Sequence, residues 1–455
     1  MLRNSRAAVL DLTHGGVIIA RKLKEIAYST TGIDVYNTLS FEVLNNLEKE
    51  GIKATRDILH VKDFDVIIAP VHLDPQYPML VDAFKNNIPV ISHHTAARLI
   101  LAELYPKEFI TIEITGTKAK TSTSILLAEI LSHKKNVVSH TSRGVEDWNN
   151  RRIIKKGLSI TPANILLALD AARESGIHPD VFIFEISLGG TGSADIGVIT
   201  TITDDYKIAN NTKLASEAKR RMILDARSGS ILVINHDALR SFGACRRDVN
   251  IISFSDSVNA SCNVYFEDIG SKGGIIAYYM DKRKGRIKIY NNPDYDISSY
   301  KTAFVCASAI ALALDIEPEI IERSLWEFRG AEGRMRKTSF SGRIMIDNSN
   351  SGMDIKSAEK ALIYSKNSGN GVVMVLGEEA KEVCEGLDPA GVKRFIDVHL
   401  DELIALVLVG ERMLPLGQKN ADKIYYANDL SKGIELAARL MHDDDVILSC
   451  VKCFR

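Results

Sequence analysis

The chain has no basic block: 57 Lys and Arg stand against 58 Asp and Glu, a formal net charge of −1. A surface that holds nucleic acid without regard to its sequence needs a positive stripe, so that class of function is not expected. Cysteine is scarce, six in all, and scattered apart from Cys450-Val451-Lys452-Cys453 near the end. No second Cys/His pair completes a zinc site, and reduced thiols in a cytoplasmic protein are the simplest account. Long apolar runs are missing too. Residues 7–20 are moderately apolar, but Asp11 and His14 interrupt them and no small-residue cleavage site follows. No other window approaches a membrane span. Without internal repeats or low-complexity tracts, the expected product is a soluble intracellular protein.

At 455 residues there is length for about three domains, each with its own core. Short β-branched runs alternate with longer amphipathic stretches, the pattern of parallel α/β units. Strands are predicted at 7–11, 33–36, 65–69 and 89–92. They make a small Rossmann-like domain, 1–106, that ends at the linker Tyr105-Pro106-Lys107. A second domain, 107–335, opens with a strand at 109–115 and continues with strands at 181–185, 197–202, 230–235 and 250–254. A β-rich patch between 262 and 290 and a helix over 301–315 complete it. Beyond Arg329-Gly330-Ala331-Glu332-Gly333-Arg334, strands at 342–346, 371–376, 403–409, 423–426 and 446–449 alternate with helices in a third α/β domain, 336–455.

The most informative run is Ile112-Glu113-Ile114-Thr115-Gly116-Thr117-Lys118-Ala119-Lys120-Thr121-Ser122-Thr123-Ser124, an apolar strand running through a Gly/Thr/Lys turn into a helix. That is the layout of a phosphate cradle over Thr115, Gly116, Thr117, Lys118, Ala119, Lys120, Thr121 and Ser122. Backbone N–H groups face an anion, Lys120 adds positive charge, and the Thr121 or Ser122 hydroxyl reaches a phosphate-bound magnesium. The turn departs from Gly-x-x-x-x-Gly-Lys-Ser/Thr, with Ile114 and Ala119 at the glycine positions. Ala119 must therefore avoid positive φ or bear strain. By itself such a turn also reads as an ordinary helix start.

Three further clusters give it context. Phe182-Ile183-Phe184-Glu185-Ile186-Ser187 delivers a carboxylate at the C-terminal end of an apolar strand, where parallel sheets gather ligands and where Glu185 can hold magnesium; a helix cap or salt bridge is the plain alternative. Thr200-Thr201-Ile202-Thr203-Asp204-Asp205-Tyr206 ends another strand in paired acids, and Lys219 follows in Glu217-Ala218-Lys219-Arg220-Arg221, a basic helix that reads as solvated. Lastly, Glu332-Gly333-Arg334-Met335 precedes Asp347-Asn348-Ser349-Asn350-Ser351-Gly352. Guanidinium and carboxylate on two sides of a hinge can clamp a nucleotide when domains close, or the run is an interdomain linker of turn-forming residues.

In this order the pieces resemble the Mur ligase family, ATP-dependent three-domain enzymes with a Rossmann-like N-terminal domain, a P-loop-type central ATPase domain and a Rossmann-like C-terminal domain. The resemblance spans nearly the whole chain. It implies ATP and Mg2+ as cofactors and activation of a substrate carboxylate as an acyl phosphate. On that basis Lys120 contacts the transferring phosphate, Thr121 and Glu185 hold magnesium, and Lys219 matches a lysine that many members carbamylate, placing it with the metal and the catalytic set. Arg334 and Asp347 engage nucleotide, and Asn235 and Asp237 match an Asn-x-Asp element after a strand. Ala119 in place of glycine, Tyr206 in place of a metal-binding His and Cys306 in place of an adenine-binding Asn depart from the pattern.

Within the family, Val9-Leu10-Asp11-Leu12-Thr13-His14-Gly15-Gly16, the 347–352 run and the terminal Leu448-Ser449-Cys450-Val451-Lys452-Cys453-Phe454-Arg455 resemble the branch that closes the last carbocyclic ring of a nickel tetrapyrrole. That substrate would meet His14, Gly15, Gly16, Asn348 and Asn350; His93 and His94 read equally as contacts or as structure. Two other readings stand beside it: an amide ligase joining an amino acid to a nucleotide-linked or peptide precursor, as in pseudomurein, and a nucleotide-binding regulator without catalysis. Oligomeric state is not legible.

Overall fold

Strands Arg6–Leu10 and Val66–Ala69 are buried almost end to end, as a parallel sheet covered on both faces requires. The computed structural model describes all residues except 107, 244–245, 271–272, 281–282, 380–385, 418–421 and 454–455. Lys107 of the expected linker and Phe454 and Arg455 of the terminal run lie outside the described residues. Two compact units are present: residues 1–267, 276–287 and 302–324 form the first, and residues 268–275, 288–301 and 325–455 the second. Among the described residues no helix is long and apolar enough to cross a membrane.

The first unit opens with a parallel sheet of β1 (Arg6–Leu10), β2 (Ser29–Ile33), β3 (Lys53–Thr55), β4 (Val66–Ala69) and β5 (Val90–Ser92), in the order β3-β2-β1-β4-β5. Alternation along β1 sends Ala7 and Val9 to a core shared with Leu12, Ile19 and Ile100, and Ala8 and Leu10 to one shared with Ile67 and Met79. The strand expected at 33–36 lies earlier in the chain. Asp34 is fully buried and accepts from the amides of Thr38 at 3.3 Å and Leu39 at 3.2 Å, which turns the chain where the strand was expected to run.

Next come β6 (Ile110–Thr115), β7 (Val137–Thr141), β8 (Gly144–Asp147), β9 (Arg152–Lys155), β10 (Val181–Glu185) and β11 (Ile196–Ile199), then the short pair β12 (Lys207–Ile208) and β13 (Lys213–Leu214). They are followed by β14 (Ile231–Asn235), β15 (Asn250–Ser255), β16 (Val264–Asp268), β17 (Gly273–Met280) and β18 (Arg283–Tyr290). The sheet order is β18-β17-β16-β15-β14-β11-β6-β10-β7-β8-β9. β6 thus sits between two parallel neighbours in the middle of the sheet, and the segment after it emerges at the centre of the C-terminal edge. The antiparallel β7–β9 edge was not expected from the sequence.

The second unit carries β19 (Arg336–Phe340), β20 (Arg343–Asp347), β21 (Val372–Glu378), β22 (Ala405–Val409), β23 (Ile424–Ala427) and β24 (Val446–Lys452), in the order β19-β20-β24-β21-β22-β23. All pairings but β19–β20 are parallel.

His93, His94 and His140 are buried in the first unit, and burial lowers each from 6.5 to about 4. Between those values the unfolded chain binds more protons, so stability present at neutral pH is lost as pH falls from 6.5 toward 4, by up to about 1.4 kcal/mol per pH unit for each histidine. Thermal unfolding followed from pH 7 to pH 5 should show this decline, and a His93→Gln/His94→Gln variant should decline less steeply. An identical slope in both proteins would contradict the assignment.

Candidate active site: a phosphate turn and a histidine-lined crevice

The turn after β6 is held from one side by the segment that follows β11. Thr117 donates its amide to the Thr201 carbonyl at 2.8 Å and its hydroxyl to the Thr203 carbonyl at 2.6 Å, and the Thr200 hydroxyl donates to the Lys118 carbonyl at 2.6 Å. Lys118 pairs with Asp204 at 2.9 Å. A Cβ at Gly116 would stand 2.0 Å from the Thr200 hydroxyl, so only glycine allows this approach.

Ala119 caps the following helix, Lys120–Ser132, in the left-handed conformation with φ 65° and ψ 0°. Of the two outcomes open from the sequence, the turn takes the strained one, at a cost of about 1–2 kcal/mol. Lys120 Nζ donates to the Gly116 carbonyl at 3.1 Å, folding the ammonium back over the loop. The first amides of a helix lack intrahelical acceptors and, with the helix dipole, favour an anion.

Two of the expected residues meet directly here. The Thr121 hydroxyl lies 3.0 and 2.9 Å from the two carboxylate oxygens of Glu185, both residues are buried, and the Ser142 amide donates to Glu185 at 3.3 Å. A hydroxyl and a carboxylate beside a phosphate turn are the hard oxygen donors that magnesium takes, so the residues fit that ion.

Glu113, passed over as a strand residue, is fully buried on β6 and organises the loop after Glu185. It accepts from the Thr191 amide at 2.7 Å, from the Thr191 hydroxyl, and from the Ser193 hydroxyl at 3.2 Å. Burial raises its pKa and these hydrogen bonds oppose the rise. A lone acid between Ile112 and Ile114 was the available signal. Earlier in this loop, a Cβ at Gly189 would sit 2.7 Å from the Ala218 carbonyl, which brings the loop against helix Ala215–Leu224. Lys219 on that helix is 1% exposed, unlike the solvated lysine its basic surroundings suggest, and its ammonium lies 4.7 Å from the Tyr206 ring centroid. Tyr206 therefore supplies a cation–π face at the position where the resemblance leads one to expect histidine.

Asn235 caps helix His236–Phe242 by accepting from the Asp237 amide at 3.0 Å. Beside it an open cavity of about 490 Å³ is lined by Thr203, Asp205, Glu217, Arg220, Asp237 and Phe242. Cys306 is fully buried and its thiol is pushed up by that burial.

In the second unit, Asp347 accepts from the Gly333 amide at 3.0 Å and Arg334 donates to the Asn350 side-chain oxygen at 2.7 Å. Asn350 donates in turn to the Gly333 carbonyl at 2.7 Å, and Asn348 to the Ser357 carbonyl at 3.4 Å. The pair expected to engage nucleotide is thus bound to one segment, and both asparagines serve the unit's own backbone. Cys450 and Cys453 are buried beside them, and burial raises the Cys450 thiol.

The second site forms at the C-terminal ends of β1 and β4. Asp11, fully buried with φ 64°, accepts from His14 Nδ1 at 2.8 Å and from His72 Nε2 at 3.0 Å on one oxygen, and from the His14 amide at 3.2 Å on the other. Burial would raise the Asp11 carboxyl, but both histidines outweigh it and hold the group well below the usual carboxylate range. Among the described residues this trio is the one group whose metal-type ligand atoms all lie within 4.8 Å of one another. Tyr36 stands edge-on to His14, with ring centroids 5.6 Å apart, and burial followed by the Asp11 and Asp74 charges pushes its hydroxyl up to about 12. Gly16 permits the turn, since a Cβ there would lie 2.2 Å from the Asp11 carbonyl; Gly15, at φ 95°, passes close to Ala163.

His93 and His94 do not join this group. His93 Nε2 donates to the Leu10 carbonyl at 2.9 Å and His94 Nε2 to the Ser187 carbonyl at 3.0 Å, which are structural roles. His72 was missed by sequence reasoning, although its place just after a predicted strand end, like that of His14, was a usable signal.

A phosphate turn at the centre of a parallel sheet, preceded by one Rossmann-like sheet and followed by another, defines a three-domain Mur-type ATP-dependent ligase. A profile of the Mur ligase middle domain matches residues 114–293, and a profile described as "Coenzyme F430 synthetase CfbE, C-terminal domain" matches residues 337–453. The chain is 44% identical to a coenzyme F(430) synthetase of Methanosarcina acetivorans, with all of each chain covered. It belongs to the coenzyme F(430) synthetase family. Among solved structures, a pseudomurein peptide ligase type C from Methanothermus fervidus shares the fold at TM-score 0.51 and 17% identity, with 98% of this chain and 97% of that one covered. The MurF ligase of Thermotoga maritima in complex with ADP does so at TM-score 0.55 and 12% identity, with 96% of each covered.

Because glycine takes the left-handed conformation without penalty, Ala119→Gly should stabilise the protein by about 0.5–1 kcal/mol. Chemical denaturation would measure it. A clear destabilisation would contradict the strain assigned to the turn.

Proposed function

We propose that this chain closes the final carbocyclic ring of the nickel tetrapyrrole coenzyme F(430) from its seco-acid precursor, consuming ATP and releasing ADP and phosphate. The observation that carries the reading is full-length likeness to a coenzyme F(430) synthetase in a chain whose phosphate turn sets Lys120, Thr121 and Glu185 together. The kinship to a pseudomurein ligase rests on fold alone and favours no amine substrate. A cytoplasmic location belongs to the same reading.

In this mechanism the amides that follow Thr117 up to the start of the helix and the Lys120 ammonium hold the γ-phosphate of ATP and neutralise it. Thr121 and Glu185 would hold magnesium, which when bound spreads the charge of the transferring phosphoryl group. A propionate oxygen of the substrate attacks the γ-phosphorus and ADP leaves, giving an acyl phosphate. A carbon nucleophile of the same macrocycle then adds to the acyl carbon, phosphate departs, and a cyclic ketone remains with no second substrate. We read Lys219 as a cation held against the Tyr206 ring, in place of the carbamate that the resemblance implies. Arg334, which donates to Asn350, and Asp347, which accepts from Gly333, are read as nucleotide-binding residues on the strength of the family resemblance alone. Water must be kept from the acyl phosphate, because hydrolysis would waste it.

Purified protein given ATP, magnesium and the uncyclised nickel tetrapyrrole acid, without amine, should release ADP in step with a change in the visible spectrum of the macrocycle. Lys120→Ala should abolish both while leaving the fold intact. ADP release that appears only when an amino acid and a nucleotide-linked acceptor are supplied would replace this reading with the amide ligase.

A further inference from the structure

We infer that Glu113 is a positioning residue for magnesium: from inside β6 it clamps the loop that leaves Glu185, and so fixes the carboxylate that would hold the ion. This rests on the magnesium role proposed above for Thr121 and Glu185.

A carboxylate on a central strand destabilises the fold unless hydrogen bonds occupy its lone pairs. Four donors converge on the fully buried Glu113: the Thr191 and Gly192 amides and the Thr191 and Ser193 hydroxyls. All four come from residues 191–193. One short segment is therefore anchored to the strand that enters the phosphate turn.

The loop between Glu185 and that anchor carries strain. Ile186 donates its amide to the Ile114 carbonyl at 2.9 Å, continuing the strand pairing, and Gly189 donates its amide to the Thr115 hydroxyl at 3.2 Å. Between them Leu188 sits at φ 57°, a left-handed conformation that a bulky side chain takes only when its surroundings impose it. Releasing the anchor at 191–193 lets Leu188 relax, and the backbone leaving Glu185 turns with it.

The loop's other side is as closely set. A Cβ at Gly190 would stand 2.5 Å from Met222 Sδ and 2.8 Å from Glu113 Oε2, and one at Gly192 would stand 2.5 Å from the Asp225 carbonyl. The loop is thus threaded between β6 and helix Ala215–Leu224, which carries Lys219. One buried acid ties together the strand entering the phosphate turn, the strand ending in Glu185 and the helix of Lys219. Magnesium demands near-octahedral geometry, so a carboxylate whose strand end can swing holds it less well.

The test binds Mn2+, which takes the oxygen ligands that magnesium takes, to the full chain with ADP, followed by electron paramagnetic resonance against a blank without protein. Glu113→Leu removes the acceptor and should weaken Mn2+ about tenfold, with the magnesium needed for half-maximal ADP release rising in step. Glu113→Gln should restore most of the affinity, because its amide oxygen still accepts from the two backbone amides and its NH2 donates to the hydroxyls, which can turn to accept. If Glu113→Leu does not fold, Thr191→Val, which loses the hydroxyl and keeps the amide, should shift Mn2+ affinity in the same direction. Wild-type affinity in folded Glu113→Leu, or in Thr191→Val where the former does not fold, would overturn the inference. Glu113→Gln as weak as Glu113→Leu would also overturn it, since the buried charge, not the clamp, would then attract the ion. Glu185→Gln separates the two readings. If it binds Mn2+ as the wild type does, the magnesium role of Glu185 falls and takes the inference with it; if it loses Mn2+ while Glu113→Leu does not, the inference alone falls.

Discussion

The contact on which the rest of the site depends joins the Thr121 hydroxyl to both oxygens of Glu185 across 64 residues of sequence. It exists because β6 and β10 run parallel and adjacent, pairing Ile114 with Glu185, so that a turn leaving one strand and a carboxylate ending the other emerge side by side. Everything nearby serves that placement. Glu113 ties down the loop beyond Glu185 from inside β6, and Thr200 and Thr201 hold the turn from the far side. The left-handed Ala119 is the strain the turn accepts to bring Lys120 over its own loop.

The strand ends of the first sheet follow the same logic with different chemistry. There a buried acid, not a lysine, organises the strand ends, and it sets two imidazoles instead of a phosphate cradle. Both sites lie where parallel strands deliver their C-terminal ends, and Ala163 and Thr161 beside Gly15, together with the His94 contact to Ser187, show the two sheets of the first unit packed through shared loops. The proposed reaction, phosphorylation of one carboxylate of a large macrocycle, calls for such a division: one site for the reacting phosphate and another for the bulk of the substrate.

Much of this was legible because it is local. Residues 181–185 read as an apolar strand that ends in an acid, and the structure has the same bounds. The strand, turn and helix of residues 110–132 were legible because an apolar run, a Gly/Thr/Lys turn and a helix start are consecutive in the chain. What escaped depends on long-range pairing. His72 reaches Asp11 across 61 residues only because β4 lies beside β1. Lys219 was misjudged for another reason: attention to Lys219-Arg220-Arg221 hid the helical spacing of Ala215, Ala218, Lys219, Met222 and Ile223, which places the lysine on the buried stripe. The β7–β9 edge was missed because its polar, turn-rich strands lack the apolar run that marked the central ones.

The central claim is that this site turns a carboxylate into an acyl phosphate and that carbon then displaces the phosphate. It is tested most directly by supplying substrate with its reacting carboxylate labelled with heavy oxygen and weighing the phosphate released. The account requires one labelled oxygen to appear in phosphate for each ring closed. Unlabelled phosphate accompanying ring closure would contradict it, since ATP would then be hydrolysed without ever joining the carboxylate.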